Sequence, residues 1–234
     1  MLGGLSVIIP VAEDDEAWKS LLPHLATLTT EDEVILSSKN SLKDALQKEV
    51  VKYRLSCVCR SVLSPIGRAH QLNMGARWAT KTFFWFLHGD SKVSEKAIQK
   101  LKISIKKRPK GIHFFNLKFL NDGPSLTIAN EYGAWIRSRI FRLPFGDQGY
   151  CLHQDTFAQL SGFCETATYG EDHLLIWKAH QNKIKLHCVG ETLYTSARRY
   201  ASFGWVSTTS KHLWLTIFQG APAFGRLIKS RVSL

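Results

Sequence analysis

Strand and helix patterns alternate along the first 110 residues. Short runs such as 5–11 (LSVIIPV) and 83–88 (FFWFLH) are apolar without polar alternation, which indicates strands covered on both faces. The predicted strands cover 5–11, 33–37, 53–58 and 83–88, and the predicted helices cover 13–28, 41–50 and 67–79. This alternation implies right-handed βαβ crossovers and a mostly parallel sheet, and therefore an α/β fold.

The second half of the chain is less regular. Its predicted strands cover 112–119, 147–153 and 185–189, and its predicted helices cover 125–142 and 171–180. The helix over 125–142 has an apolar stripe. That stripe consists of Ile128, Tyr132, Trp135, Ile136 and Ile140.

Composition narrows the class of partner. The chain has 31 Lys and Arg against 19 Asp and Glu, a net charge of +12, which favours nucleic acid, an acidic membrane surface or a phosphorylated ligand. A solvated basic surface explains it equally well. A nucleic-acid module is disfavoured because the cations are dispersed and no RNP, KH or zinc pattern occurs. The five scattered cysteines favour reduced thiols in a cytoplasmic protein.

The C-terminal segment 203–234 is aromatic, basic and amphipathic. Such a segment can lie at the inner face of a membrane as a peripheral contact. A helix docked on the core or on a second subunit is the alternative. That alternative is favoured because Gly220 and Pro222 break the segment in two.

Polar residues follow the predicted strands where a parallel sheet binds its ligands. Glu13 and Asp14 follow the first strand, Gly67-Arg68 opens a helix after the third, and Gly89-Asp90 follows the fourth. Arg at a helix N-terminus suits phosphate, and Asp90 suits Mg²⁺ or Mn²⁺ held together with substrate phosphates. An ordinary surface Arg and a helix-capping Asp are the alternatives.

Two further pairs of charged residues occur in the second half. Glu171-Asp172 opens a predicted helix, where Asp172 is either a general base or an ordinary acid at a helix N-terminus. Arg198-Arg199 could neutralise a leaving diphosphate, although Arg pairs are commonly surface residues.

Six segments in order resemble family 2 glycosyltransferases, and within them a bacterial subgroup associated with arsenosugar biosynthesis. The resemblance covers residues 5–215. The segments are VIIPVAED (7–14), GRAHQLNMGA (67–76), FLHGDSKV (86–93), GDQGYCLHQDTFAQLSGF (146–163), GED (170–172) and SARRY (196–200).

The resemblance implies a GT-A fold, an αβα sandwich with a mostly parallel central sheet and a less regular acceptor-binding half. One domain is expected over 1–202, with a nucleotide-binding half at 1–110 and an acceptor half at 111–202. A helical tail over 203–234 follows. The implied activity is metal-dependent transfer of a sugar from a nucleotide-sugar donor to an acceptor hydroxyl, with Mg²⁺ or Mn²⁺. Inversion is expected because no residue is evidently placed as a nucleophile.

The resemblance also assigns residues. Asp172 matches the base that deprotonates the acceptor, and Asp90 matches the metal-binding acid. The nucleotide-binding positions are Pro10, Glu13, Asp14, Ser38, Arg68, Asn73, Gly89 and Asp90. The positions on the acceptor or diphosphate side are Asp147, Gln148, Glu171, Arg198 and Arg199.

The sequence departs from the family pattern at two positions. Ser38 stands where the second strand usually ends in an Asp that binds uracil, and His88 replaces the first acid of the metal motif. The nucleotide base is therefore left open. A catalytically weak paralogue that binds a nucleotide or a protein partner is the alternative function.

Overall fold

Seven strands and seven α-helices alternate along the chain in a computed structural model that describes residues 3–124 and 126–198. The strands are β1 (Leu5–Val11), β2 (Glu33–Ser38), β3 (Val58–Leu63), β4 (Phe83–Phe86), β5 (Ile112–Phe119), β6 (Cys151–His153) and β7 (Leu186–Thr195). The helices are α1 (Ala17–Leu21), α2 (Lys43–Tyr53), α3 (Arg68–Trp78), α4 (Glu95–Lys107), α5 (Thr127–Arg139), α6 (Gln154–Gln159) and α7 (Glu171–Gln181).

All seven strands belong to one sheet, in the order β3-β2-β1-β4-β6-β5-β7. The pairs β1–β2, β1–β4, β2–β3 and β5–β7 are parallel. The short strand β6 runs antiparallel to both β4 and β5 and thereby joins the two halves of the chain. The mostly parallel sheet and the α/β class predicted from the sequence are confirmed.

Two apolar cores cover the two faces of the sheet. One core contains side chains of α1, α2 and α4, such as Trp18, Leu46 and Leu101. The other contains side chains of α3, α6 and α7, such as Leu72 and Ile176. The central strands are apolar on both sides because both faces are covered, as expected for buried parallel strands.

Two predicted elements in the first half are wrong. The strand predicted over 53–58 lies five residues before β3, because α2 continues to Tyr53 and ends at Arg54 in the left-handed conformation (φ 51°). The helix predicted over 13–28 is reduced to α1 and a 3₁₀ turn, Leu22–Leu25, with Pro23 in its first turn. Proline lacks the N–H that would continue an α-helix there.

One prediction in the second half is also corrected, and one helix has an unexpected orientation. The strand predicted over 147–153 divides into a 3₁₀ turn, Gly146–Gln148, and β6, with Gly149 at φ 63° between them. The apolar stripe of α5 faces away from the core. Its residues are 41–69% exposed, whereas the buried residues of this helix are Thr127, Ala134 and Ser138.

Within the described part of the chain, no helix combines the length and apolar character needed to cross a membrane. The predicted tail over 203–234 and the predicted site residue Arg199 lie outside the described residues.

Candidate active site

The loop after β1 carries four consecutive acids, 13–16, and the first three of them face different ways. The Glu13 carboxylate pairs with Lys39 Nζ at 2.8 Å, which connects this loop to the end of β2. Asp14 is exposed and has φ 59°, a left-handed conformation that turns the backbone. The turn leaves the next residue, Asp15, partly buried, and its Oδ2 accepts a bond from Arg198 Nη2 at 2.8 Å.

Asp90 lies beside the same arginine, in the turn that follows β4. Arg198 Nη2 is 3.8 Å from Asp90 Oδ2, and Thr195 Oγ1 lies 3.4 Å from Asp90 Oδ1. The hydrogen bond to Asp15, together with the charges of both acids, raises the pKa of Arg198. Arg198 therefore stays charged between two carboxylates. A Cβ on the preceding Gly89 would lie 3.3 Å from the backbone nitrogen of Trp18, so glycine allows this close approach.

The residues around Asp90 fit a divalent cation that is completed by substrate phosphates. No group of three or more His, Cys, Asp or Glu side chains in the described part of the chain forms a full metal cage. Mg²⁺ in phosphate-handling sites is commonly held by one or two carboxylates and the substrate itself. Asp90 at the end of β4, with Asp15 beside the shared Arg198, is a carboxylate set of this kind.

Arg68 forms the centre of a charged cluster. It begins α3, and its Nη1 donates to Glu171 Oε1 at the start of α7 while its Nη2 donates to His88 Nε2 after β4. The charges of Asp172 and Glu171 outweigh the effect of burial and raise the pKa of Arg68. Three segments far apart in sequence therefore meet at one guanidinium.

Asp172 is fixed by backbone donors within this cluster. Its Oδ2 accepts a bond from the Gly146 N–H at 2.6 Å, and its Oδ1 accepts one from the His173 N–H at 2.9 Å. Burial favours the neutral acid, but the charge of Arg68 and these two backbone bonds lower the pKa of Asp172. Asp172 is therefore a carboxylate at neutral pH.

Gly146 allows this approach because it has no side chain. A Cβ at this position would lie 2.6 Å from Arg68 Nη2 and 2.8 Å from Asp172 Oδ2. These separations are too short for non-bonded contacts. The glycine of the 3₁₀ turn therefore brings the backbone of the second half against the charged cluster.

Asp147 is a second acid at the same site. Its Oδ1 is buried and has no hydrogen-bond partner among the described residues. Burial raises the pKa of Asp147 to about 6, with Arg137 opposing and the charge of Asp172 reinforcing this shift. Arg137 lies over the Phe145 ring, with its guanidinium carbon 3.3 Å from the ring centroid.

The side chains of two predicted site residues, Asn73 and Gln148, form hydrogen bonds with other parts of the protein. The Asn73 Nδ2 donates to Phe163 O at 2.9 Å and to Glu165 Oε1 at 2.8 Å, and its Oδ1 accepts from Phe163 N at 3.0 Å. Gln148 is fully buried and its Nε2 donates to Phe115 O at 2.8 Å. Both side chains hold segments together in this structure.

The remaining predicted nucleotide-binding positions lie at the ends of β1 and β2. Pro10 pairs with Ser37 in the parallel register, next to Val11 and Ser38. The Ser38 hydroxyl donates to Asn40 O at 2.6 Å. The structure thus brings Glu13, Ser38 and Lys39 to one end of the sheet.

Asp15, His88 and Arg137 belong to the site but were not among the predicted site residues. Asp15 is the third acid of a run, and the sequence does not show that the backbone turns at Asp14. His88 was noted as a missing acid, although its contact is with Arg68. Arg137 belongs to a helix in which the sequence singled out only the apolar stripe.

The chain matches a known protein family over most of the sheet. The description "Glycosyl transferase family 2" matches residues 6–153, which include β1–β6, Arg68 and Asp90. The chain belongs to glycosyl transferase family 2. No curated protein matches the sequence.

Solved structures share the fold. The S. aureus TarS fragment 1–349 in complex with UDP-GlcNAc is 21% identical with a TM-score of 0.61, over 82% of this chain and 58% of that one. The mannosyltransferase PcManGT from Pyrobaculum calidifontis, in complex with GDP-Man and Mn²⁺, is 13% identical with a TM-score of 0.69, over 99% and 69%. The architecture is therefore the GT-A fold, and this family 2 chain spans about three-fifths of the TarS fragment.

Proposed function

We propose that the protein is a metal-dependent, inverting glycosyltransferase that moves a sugar from a nucleotide-sugar donor to an acceptor hydroxyl. The observation that carries the proposal is the charged cluster beyond the carboxyl ends of β3 and β4. Arg68 lies beside Asp172 and contacts His88, and the charges of Arg68, Asp172 and Asp90 all act on the Asp147 carboxyl. Ligands of open α/β sheets bind at such edges. The TarS and PcManGT structures hold UDP-GlcNAc and GDP-Man, which supports the class of donor.

In the proposed reaction, Asp172 accepts the proton of the acceptor hydroxyl. The hydroxyl oxygen forms a bond to C1 of the sugar while the bond from C1 to the diphosphate oxygen breaks on the opposite face. The electron pair leaves with the nucleoside diphosphate, so a single displacement inverts the anomeric centre. Arg68 holds Asp172 ionised before the transfer, because its charge lowers the pKa of that carboxyl.

The second requirement of the reaction is positive charge that neutralises the leaving diphosphate. Asp90 would hold a divalent cation, which supplies positive charge to the diphosphate when bound. Arg198 lies beside Asp90 and would add a second positive charge. Arg199, outside the described residues, is proposed for the same role from the sequence motif.

The other assignments extend this proposal. Pro10, Glu13, Asp14, Ser38 and Gly89 would line the nucleotide. Asp147, Gln148 and Glu171 would lie on the acceptor side, Glu171 through its bond to Arg68. The division into 1–110, 111–202 and the tail 203–234, and membership of the arsenosugar-associated subgroup, remain proposals supported by the sequence motifs.

The proposal is tested by a thermal-shift screen of nucleotide sugars and nucleoside diphosphates with Mn²⁺. Binding at 100 times the dissociation constant stabilises a protein by about 2.7 kcal/mol, and a clear rise in Tm is expected. Asp90→Asn should remove the Mn²⁺-dependent part of that rise and leave the Tm without ligand near the wild-type value. Asp155→Asn, an exposed acid on α6, is the matched control. Full metal-dependent binding by Asp90→Asn would refute the assignment.

A catalytically weak paralogue is the second candidate, and Ser38 is the observation that favours it. Its neutral hydroxyl already donates to Asn40 O. A carboxylate there would accept a charge-assisted bond from uracil, worth about 1.5–3 kcal/mol. If no other residue reads the base, the protein should bind UDP only slightly more tightly than GDP. Ser38→Asp should then raise UDP affinity about tenfold for each 1.4 kcal/mol recovered. Strong wild-type preference for UDP with no gain in Ser38→Asp would contradict this.

A further inference from the structure

Helix α5 turns its large apolar side chains away from the protein. The residues buried against the protein, Thr127, Ala134 and Ser138, are small or polar. The exposed residues include Tyr132 at 69% and Trp135 at 50%. An amphipathic helix on the surface of a globular protein normally buries its apolar side chains and exposes its polar ones. We call the exposed set the α5 face; it consists of Ile128, Tyr132, Trp135, Ile136, Ile140 and Phe141.

A cationic cavity continues the α5 face at its C-terminal end. Ile140 and Phe141 belong to the α5 face and also line a cavity of about 400 Å³. Arg142, Lys183 and Lys185 supply three cations to the same cavity. None of the described residues that line it is an Asp or Glu. The surface is therefore apolar along the helix and positive at its end.

The positive charge of this cavity affects a neighbouring histidine. Burial together with Arg108, Lys185 and Arg142 lowers the pKa of His187. The helix contains one carboxylate, Glu131, and its Oε1 accepts a bond from the Phe119 N–H at 2.8 Å. Glu131 is thus directed toward β5 and away from the exposed apolar residues.

We propose that the α5 face and the cationic cavity together dock the protein on an anionic phospholipid bilayer. Aromatic and aliphatic side chains on one face of a helix partition into the headgroup region of a bilayer. Lys and Arg next to that face are attracted to anionic headgroups. In this arrangement Tyr132, Trp135 and Ile136 enter the interface, and Lys183 and Lys185 contact lipid phosphates.

Charge complementarity distinguishes a bilayer from the protein's own surfaces. A second copy docked through the same face would bring two sets of cations together. The segment 199–234 contains five Lys and Arg residues and no Asp or Glu, so its charge does not complement the cavity either. An anionic bilayer complements both the apolar and the positive part of the surface.

The location of α5 connects this surface to the candidate active site. Arg137, in the last turn of α5, donates to Leu143 O at 2.9 Å and lies over the Phe145 ring beside Asp147. A bilayer docked on the α5 face would therefore lie next to the acceptor side of the site.

The test is co-sedimentation of the full-length protein with phosphatidylcholine vesicles, with and without phosphatidylglycerol. One variant, Tyr132→Ser/Trp135→Ser/Ile136→Ser, removes apolar residues that are already exposed. A second variant, Lys183→Gln/Lys185→Gln, removes two cations of the cavity. Each should reduce partitioning into anionic vesicles, by more than about tenfold for the first and by about fivefold per cation for the second.

Matched controls carry the same changes on other surfaces. Val51→Ser/Leu63→Ser/Trp78→Ser removes three exposed apolar residues on α2, β3 and α3. Lys43→Gln/Lys48→Gln removes two cations of α2, near the β3 edge of the sheet. Both controls should bind vesicles as the wild type does. Circular dichroism and light scattering of every variant establish that fold and oligomeric state are unchanged.

Other outcomes would overturn the proposal. Wild-type protein that fails to bind anionic vesicles excludes a docking surface of this kind. Retained binding in either test variant, with loss in Lys211→Gln/Arg226→Gln/Lys229→Gln, would place membrane contact in the C-terminal segment alone. A change of oligomeric state or of protease protection of residues 199–234 in the first variant, without vesicle binding, would show that protein covers the α5 face.

Discussion

Asp172 combines two properties that a base for an acceptor hydroxyl requires. It is ionised at neutral pH, because Arg68 and two backbone N–H groups lower its pKa. It is also held in one orientation by those N–H groups. Loss of a positioned base commonly costs 10²- to 10⁴-fold in rate. We expect Asp172→Asn to reduce turnover by about that factor, measured as nucleoside diphosphate release, while donor affinity changes little.

The control for this prediction is Asp155→Asn. Asp155 is an exposed acid in the first turn of α6, and it represents an acid that merely stabilises a helix N-terminus. Such acids contribute up to about 1 kcal/mol of stability and no catalysis. If Asp172→Asn loses only a similar amount of stability and keeps near-normal turnover, Asp172 is not the base.

Asp147 makes a prediction about stability and pH. Its pKa is raised from 3.8 to about 6, chiefly by burial. Between these values the unfolded chain has lost the proton that the folded protein still holds, so the free energy of unfolding falls as pH rises through this window. The loss in the free energy of unfolding, complete above about pH 6, is on the order of 3 kcal/mol.

Asp147→Asn removes this penalty because asparagine carries no charge at any pH. The Tm of the variant relative to wild type should therefore rise as the pH increases from about 4 to about 7. Thermal unfolding across that pH range measures the difference. Asp155→Asn should show no such rise, and a constant offset for Asp147→Asn would contradict the prediction.

The sequence located the charged residues better than it located their contacts. Asp90, Arg68 and Asp172 could be found because each follows or begins a recognisable element. Asp15 could not, because the backbone turn at Asp14 decides which acid of the run points inward. The bonds of Asn73 connect residues 90 and 92 positions apart, and no local pattern shows such contacts.

At the scale of elements, hydrophobic periodicity predicted the central strands. It failed where tertiary contacts determine the bounds of an element or what covers its face. β1 and β5 have the predicted bounds because both are covered on two faces. The strand predicted over 53–58 was misplaced, since Tyr53 suits either a strand or the end of α2 and β3 begins only at Val58. The stripe of α5 was predicted correctly as a helical face, but periodicity does not tell what covers a face.

The 3₁₀ turn, Gly146–Gln148, makes a prediction at this scale. A Cβ at Gly146 would collide with Arg68 Nη2 and Asp172 Oδ2. Gly146→Ala should therefore separate the turn from the charged cluster and lower turnover by tenfold or more, roughly the effect of a small displacement of catalytic groups. Steady-state kinetics should show the loss mainly in kcat.

Gly133→Ala is the matched control, because a Cβ at Gly133 would meet nothing within 4 Å. In the middle of α5 this change should stabilise the protein by up to about 1 kcal/mol and leave kcat unchanged. Equal kinetic effects of the two substitutions would show that the close approach at Gly146 has no catalytic importance.

At the scale of the whole molecule, the candidate site depends on contacts between the two halves of the chain. β6 pairs with β4 and β5, and the Arg68–Glu171 ion pair spans 103 positions. Asp172 therefore comes against Arg68 only when the second half has folded onto the first. The candidate site is a property of the tertiary structure and of no single motif.

For Asn73, a structural and a donor-binding role lead to different predictions at this scale. The family resemblance assigns it to the donor, whereas its amide makes three hydrogen bonds to Phe163 and Glu165 in the second half. Asn73→Ala removes these bonds and leaves the Phe163 backbone groups without these partners. We expect a loss of roughly 1–3 kcal/mol in the free energy of unfolding, measured by urea denaturation. Donor affinity of the folded variant should stay within about twofold of wild type, because the described bonds join two parts of the protein. Arg77→Ala, an exposed residue one turn later on α3, should change neither quantity. A large loss of donor affinity in Asn73→Ala with unchanged stability would instead return Asn73 to the nucleotide site.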